Sequence, residues 1–275
     1  MPKVSDDYPG KKITDEQLKQ LAVENYEEKK SEESTSHNFP TEVVELPSKG
    51  LLYPKDNPLS SGLVEMKYMT AKEEDILTTP SLIKQGVVLD KLFRSLIVGN
   101  GHGKKINYAD LLAGDKNAIM VAARVLGYGK DYEITITGPS GNPQKETIDL
   151  SKLDNKPFDE SRITVGENRF PFKLPFSKRT IEFKILTHRD EKELEARQKS
   201  NKKYNKTRGF DGNVTSRLAS MIISLDGDGD PNNIKDFIEN QFLARDVQAL
   251  REYMAKVSPD VDLNFTFVDE ETGED

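Results

Sequence analysis

Apolar and polar residues recur along this chain in two rhythms, a helical one and an alternating one, and the rhythm changes several times. Near the start, Ile13-Thr14-Asp15-Glu16-Gln17-Leu18 carries a helix-start signal, with Thr14 as the cap, Gln17 answering it and Ile13 placed to staple against Leu18. Leu18, Leu21, Ala22 and Tyr26 then share one face. The next stretch, 27–38, reads EEKKSEESTSHN, the composition of a tether. Residues 1–38 are therefore expected to be a flexible tail with one short amphipathic helix, and the ordered body is expected to begin at 39. Isolated helices below ~12–15 residues are marginal in water. Two outcomes stay open for this one, folding back onto its own body or docking into a partner's groove, and Leu18, Leu21 and Tyr26 are its candidate contacts.

The body opens with a short edge strand over Val43, Val44, Glu45 and Leu46. Pro47, Gly50 and Pro54 then force turns around an apolar Leu51-Leu52-Tyr53 plug. The plug either packs on its own core or offers Lys49, Leu51 and Tyr53 to a partner. A second strand is predicted over 62–69, and Thr70-Ala71-Lys72-Glu73 is a capping box for a helix through Leu77, ended by Pro80. Helical spacing resumes at Leu82 and continues through Leu89, Leu92, Phe93, Leu96 and Ile97. A second apolar helix runs through Ile119, Met120, Ala123 and Leu126, with Asp115 as its cap and Gly127 and Gly129 as its stop.

From residue 130 the period shortens to two. Strands are predicted over 132–136 and 180–186, with short candidates at 148–150, 163–165 and 170–172, together forming a small antiparallel sheet. Thr187 to Asp190 then start a highly charged helix that should project into solvent or lean on a partner. Leu218, Met221, Ile222 and Leu225 return to helical spacing, two helices follow over 233–243 and 246–255, and 261–267 alternates as a strand. The reading is an α+β fold, a mainly helical body with a small antiparallel β subdomain and a disordered N-terminal tail. Its segments are 1–38 (tail), 39–129 (mainly helical), 130–187 (β subdomain), 188–267 (helical, ending in a strand) and 268–275 (acidic tail).

Composition narrows the functions. The 275 residues include no cysteine, which removes disulfides, thiolate metal sites and cysteine nucleophiles, and the net charge of −7 argues against general nucleic-acid binding. No apolar stretch is long enough to cross a bilayer and the first residues lack a secretory h-region, so no membrane association is expected. Three patches resemble chemistry and fall short of it. In Gly99-Asn100-Gly101-His102-Gly103-Lys104-Lys105, Val98 and Lys105 occupy positions where a P-loop needs glycine and a hydroxyl. Asp226-Gly227-Asp228-Gly229-Asp230 opens like a calcium loop, but Pro231 and Phe237 replace its glycine and its bidentate glutamate. The basic run 199–208, with Lys202, Lys203 and Tyr204 at its centre, is either a solvated helix end or a phosphate contact with a stacking ring. The histidines, His37, His102 and His188, have no serine or carboxylate at a telling spacing. The expectation is a binding protein, not an enzyme, without cofactor, metal or small-molecule substrate.

The segments LPSKGLLYP at 46–54, YMTAKEEDIL at 68–77, VVLDKLFRSLI, LLAGDKNAIMVAARVLGYG and LDGDGDPNNIKDFIENQFLARDVQALREY occur in one order, and together they resemble the T4-type bacteriophage baseplate protein family. The resemblance spans most of 39–267. It implies a structural or assembly component of the baseplate hub of a contractile-tailed phage, with other baseplate or tail proteins as partners and no catalytic residues to carry over. It also implies a location in the host cytoplasm during assembly, and in the virion's tail baseplate if the chain stays there. A transient tail-assembly chaperone is the alternative, and a nucleic-acid factor using 199–208 is a further one. Some relatives carry cysteine pairs as in a zinc knuckle; the matching positions read Gly138-Pro139-Ser140-Gly141 and Val268-Asp269-Glu270-Glu271, so no zinc is expected.

Overall fold

The computed structural model describes residues 40–138, 141–205, 213–267 and 272, with the backbone alone given for 200–205. The chain divides into two units, Met1–Pro40 and Thr41–Asp275, and every described element belongs to the second. Its described residues form an α+β fold with eight α-helices and three small antiparallel sheets.

The first sheet joins β1 (Thr41–Glu45), β2 (Leu63–Lys67) and β3 (Ile97–Gly99), in that order. Alternation along β2 puts Val64 and Met66 wholly inside. Helix α1 (Ala71–Thr78) starts with the predicted capping box, in which Glu73 reaches back to the N–H and hydroxyl of Thr70. The helical pattern that resumes at Leu82 is divided, however, into α2 (Pro80–Gln85) and α3 (Val88–Leu96). Gly86 adopts the left-handed conformation, its N–H bonds the carbonyls of Ile83 and Leu82, and the Val87 N–H closes on Leu82, a glycine C-terminal stop. The break turns Leu89 to solvent, leaves Leu92, Phe93 and Leu96 in the core, and lets Ile97 begin β3 instead of continuing the helix.

Helix α4 (Ala113–Tyr128) ends at Gly129 as expected, but Gly127 lies inside it. A Cβ at Gly127 would come within 2.4 Å of Met69 Sδ, so its role is close packing, not termination. A hairpin of β4 (Asp131–Thr137) and β5 (Pro143–Asp149) follows, none of its described residues buried. The third sheet has the order β6 (Phe170–Lys173), β7 (Thr180–Phe183), β8 (Ile222–Leu225). The remaining helices are α5 (His188–Asn205), α6 (Asn213–Met221), α7 (Pro231–Asn240) and α8 (Ala244–Val257).

Several expectations change. The strands of 130–187 lie in two sheets, and one of them is completed by β8, where spacing predicted helix; Ile222 and Leu225 fit a short buried strand equally well, and periodicity cannot separate the two. Residues 163–165 form no strand, following a 3-10 turn at Glu160–Arg162 and leaving Val165 exposed. Past Val261, which bridges to Asn155, the segment 262–267 forms no strand; the Asp262 N–H bonds the Asp154 carbonyl and the Asp262 carboxylate accepts from the Asn264 N–H. One continuous core links the expected segments. Phe170 stacks on Phe183 at 5.4 Å, and Tyr253 of α8 lies against both Phe172 and Phe183, so the C-terminal helices roof the third sheet.

Candidate interaction surfaces

The run 46–54 is held by one buried acid. Asp115, in the first turn of α4 and wholly buried, accepts from the Ser48 N–H (2.9 Å), the Ser48 hydroxyl (2.7 Å) and the Tyr53 hydroxyl (2.6 Å). The Tyr53 oxygen in turn accepts from the Leu112 N–H at 2.9 Å. Burial pushes the Asp115 carboxyl up and its hydrogen bonds oppose that shift; burial, together with the neighbouring Asp115 charge, pushes the Tyr53 phenol well above its ordinary range. Asp115 is thus a loop clamp inside the helix, not its cap, and Leu112 stands at the cap position. Gly50 and Gly62 both take positive φ, and a Cβ at Gly50 would meet Ser60 O at 2.4 Å, so the loop closes tightly on itself.

This geometry sorts the loop's candidate contacts. Tyr53 is buried and fully engaged, so it is not an exposed contact; the plug packs on its own core. Leu51 is half-buried, its carbonyl bonded by the Gly166 N–H. Lys49 stands exposed at the tip with φ +52 and pairs with Glu160 at 2.6 Å, an exposed ion pair worth roughly 0–1 kcal/mol.

Beside this loop's parent strand lies a groove of about 280 Å³. Val43 and Val44 of β1 form one wall, Val121, Ala122 and Val125 of α4 the other, and Leu153 closes an end. β1 is the edge of its sheet, paired with β2 alone among the described strands. Val43 is 50% exposed, and Glu42 and Glu45 flank it with charge, a common guard on an open edge. Sequence reading missed this groove. The signal was present in α4, where Val121, Ala122 and Val125 make a second apolar stripe beside the core stripe of Ile119, Ala123 and Leu126.

The charged helix α5 does not simply project. Thr187 and Asp190 cap it reciprocally, His188 and Leu194 are buried, and its first turns lie against α3 and α4. His188 Nε2 lies 3.4 Å from Asp90, its Nδ1 3.5 Å from Lys116 Nζ, and its ring 4.5 Å from that of Tyr108. Burial pulls the imidazole below its ordinary range; Asp90 opposes this, while Lys116 and Lys192 add to it. A carboxylate therefore does face this histidine, brought from 98 residues away in sequence, a separation at which spacing carries no signal. Lys202, Lys203 and Tyr204 fall in the last turns of α5, where the backbone alone is described, and Leu18, Leu21 and Tyr26 lie outside the described residues.

The other two patches have internal roles. In the glycine loop, the buried Asn100 side chain accepts from the N–H groups of His102 and Lys104, leaving those donors engaged instead of free for a phosphate. In the aspartate run, Asp226 accepts from Arg179 and the Thr180 N–H, Asp228 from the Asp230 N–H and Asn233, and Asp230 caps α7. The three carboxylates serve separate partners. Among the described residues, no helix is long and apolar enough to cross a membrane. Compared with family models, curated proteins and solved structures, the chain gave no match.

Proposed function

We propose that this chain is a structural or assembly component of the baseplate hub of a contractile phage tail, that its mainly helical body works as an adaptor, and that it acts by protein recognition without catalysis. The order of motifs from 46–54 to the α7–α8 region supports the family reading. The observation that carries the recognition reading is the open edge of β1 beside an apolar groove. A partner segment entering there extended could add a fourth strand to the first sheet, while α4 receives its alternate side chains. Glu42 and Glu45 at the rim favour a partner with basic residues flanking its apolar ones.

The test is affinity capture of the intact chain from phage-infected cells, beside a Val43→Asp/Val121→Asp variant checked for an unchanged melt. Baseplate hub proteins should accompany the intact chain and be lost with the variant. Recovery of nucleic acid, or of no tail protein, would overturn the proposal. Quantitative mass spectrometry of purified particles then decides the role. A fixed copy number makes the chain a subunit of the virion baseplate, whereas absence makes it a transient assembly factor of the host cytoplasm.

A further inference from the structure

A second groove, of about 240 Å³, opens between α6 and α8. Its floor is Val214, Leu218, Met221 and Met254, and Arg217 and Arg251 stand at its rim, both exposed. Every other described arginine has a carboxylate, a carbonyl or an aromatic ring beside it, including Arg94 on Tyr108, Arg189 on Asp110 and Arg245 on Phe176. Arg217 and Arg251 have no hydrogen bond, ion pair or ring contact among the described residues. In a chain with 47 acidic residues and a net charge of −7, two unpaired guanidinium groups over an apolar, methionine-bearing floor form a local exception. The chemistry that fits them is a segment with apolar anchors followed by carboxylates, since methionine adapts to the shape of an anchor and arginine grips carboxylate with directional bonds.

The chain carries such a segment. Residues 262–275 read DLNFTFVDEETGED, in which Leu263, Phe265 and Phe267 alternate and Asp269, Glu270 and Glu271 follow. Leu263 and Phe265 are 47% and 48% exposed, belong to no described strand and do not line this groove in their own chain. We infer that the groove between α6 and α8 receives the 262–275 segment of a second copy, Leu263 and Phe265 entering the floor and the acids that follow pairing with Arg217 and Arg251. The contact joins unlike surfaces, so two copies either exchange segments or associate head to tail. This inference is independent of the β1 groove, and its test needs no phage protein.

The experiment is sedimentation velocity of the purified full chain over a concentration series at low and high salt. The mean mass should rise with concentration and fall with salt. Arg217→Glu/Arg251→Glu should self-associate roughly thirtyfold more weakly, the scale of lost interfacial arginine contacts, and Leu263→Ser/Phe265→Ser should weaken association likewise, with melting unchanged in each. A variant with Asp269, Glu270 and Glu271 replaced by lysine should be monomeric alone, yet restore association when mixed with the Arg217→Glu/Arg251→Glu chain. A monomeric intact chain at every concentration, association indifferent to the arginine reversal, or a mixture that fails to associate would each overturn the inference.

Discussion

Five acids occupy the third position of α-helices and none is idle; Asp90 in α3 faces His188 and pairs with Lys192. Glu73 in α1 and Asp190 in α5 reach back to the preceding threonine, while Asp115 in α4 and Asp246 in α8 turn to remote loops. The last two share a local pattern, Leu-Ala-Gly-Asp at 112–115 and Leu-Ala-Arg-Asp at 243–246, each with leucine where a polar cap is usual. Asp246 accepts from the N–H groups of Phe176 and Ser177, and so pins the turn between β6 and β7 as Asp115 pins 46–54. Negative charge in a first helical turn is favourable in itself, which offsets part of the cost of burying it. Glu73 permits a test. Burial alone pushes its carboxyl up, but hydrogen bonds from Lys67, Ser95 and Thr70 outweigh that and bring it from 4.5 down to about 2. Because the folded value is the lower one, the stabilisation is complete above about 4.5 and fades as the pH falls toward about 2. Glu73→Gln should cost about 1–3 kcal/mol at neutral pH, and the denaturation midpoints of the two proteins should converge across that acid window. A gap that holds constant with pH would mean that the charge on Glu73 contributes nothing.

At the scale of elements, close backbone approach sets positions that side-chain patterns do not reveal. Gly114, in the first turn of α4, lies against the chain after α8, where a Cβ would sit 1.9 Å from Pro259 O and 3.0 Å from Asp260 Cα. The neighbouring Asn117 donates to Asp260 at 2.9 Å and fixes the same contact. Alanine is ordinarily about 1 kcal/mol better than glycine inside a helix. Here Gly114→Ala should instead destabilise by roughly 1–3 kcal/mol, because the atoms in its way are backbone and cannot rotate aside. Chemical denaturation measures this directly, and a variant as stable as the parent would show that 258–260 yields without cost.

At the scale of the molecule, burial is uneven. One core joins 46–257 through α3, α4, the third sheet and the C-terminal helices, whereas the β4–β5 hairpin buries no described residue. An isolated two-stranded hairpin is marginal in water. The tie of Arg124 in α4, half-buried and lying over the exposed Tyr132 ring at 5.4 Å, is a partly solvated one. Hydrogen exchange should therefore be fast across 131–149 and slow in β6, β7 and β8, since local opening of the hairpin exposes little apolar surface. Equal protection in both sheets would show that the hairpin is held by contacts beyond these.

The local layer of this protein was determined by its sequence. The capping box at Thr70, the strand alternation at 132–136 and 180–183, the stop at Gly129 and the paired C-terminal helices all follow from interactions within a few residues, where propensity and period act directly. The turns of 46–54 were legible in the same way, whereas the sequence left burial of their plug open against a partner contact through Tyr53, and the structure decided it. What the tertiary structure alone decided involves partners distant in sequence. Asp115 became a clamp because Ser48 and Tyr53 arrive 67 and 62 residues before it. The 222–225 run became a strand because β7 offered it an edge, whereas 262–267, for all its alternation, pairs with no described strand. The two grooves belong to this second layer, since each is built from elements whose separation in the chain carries no periodic trace.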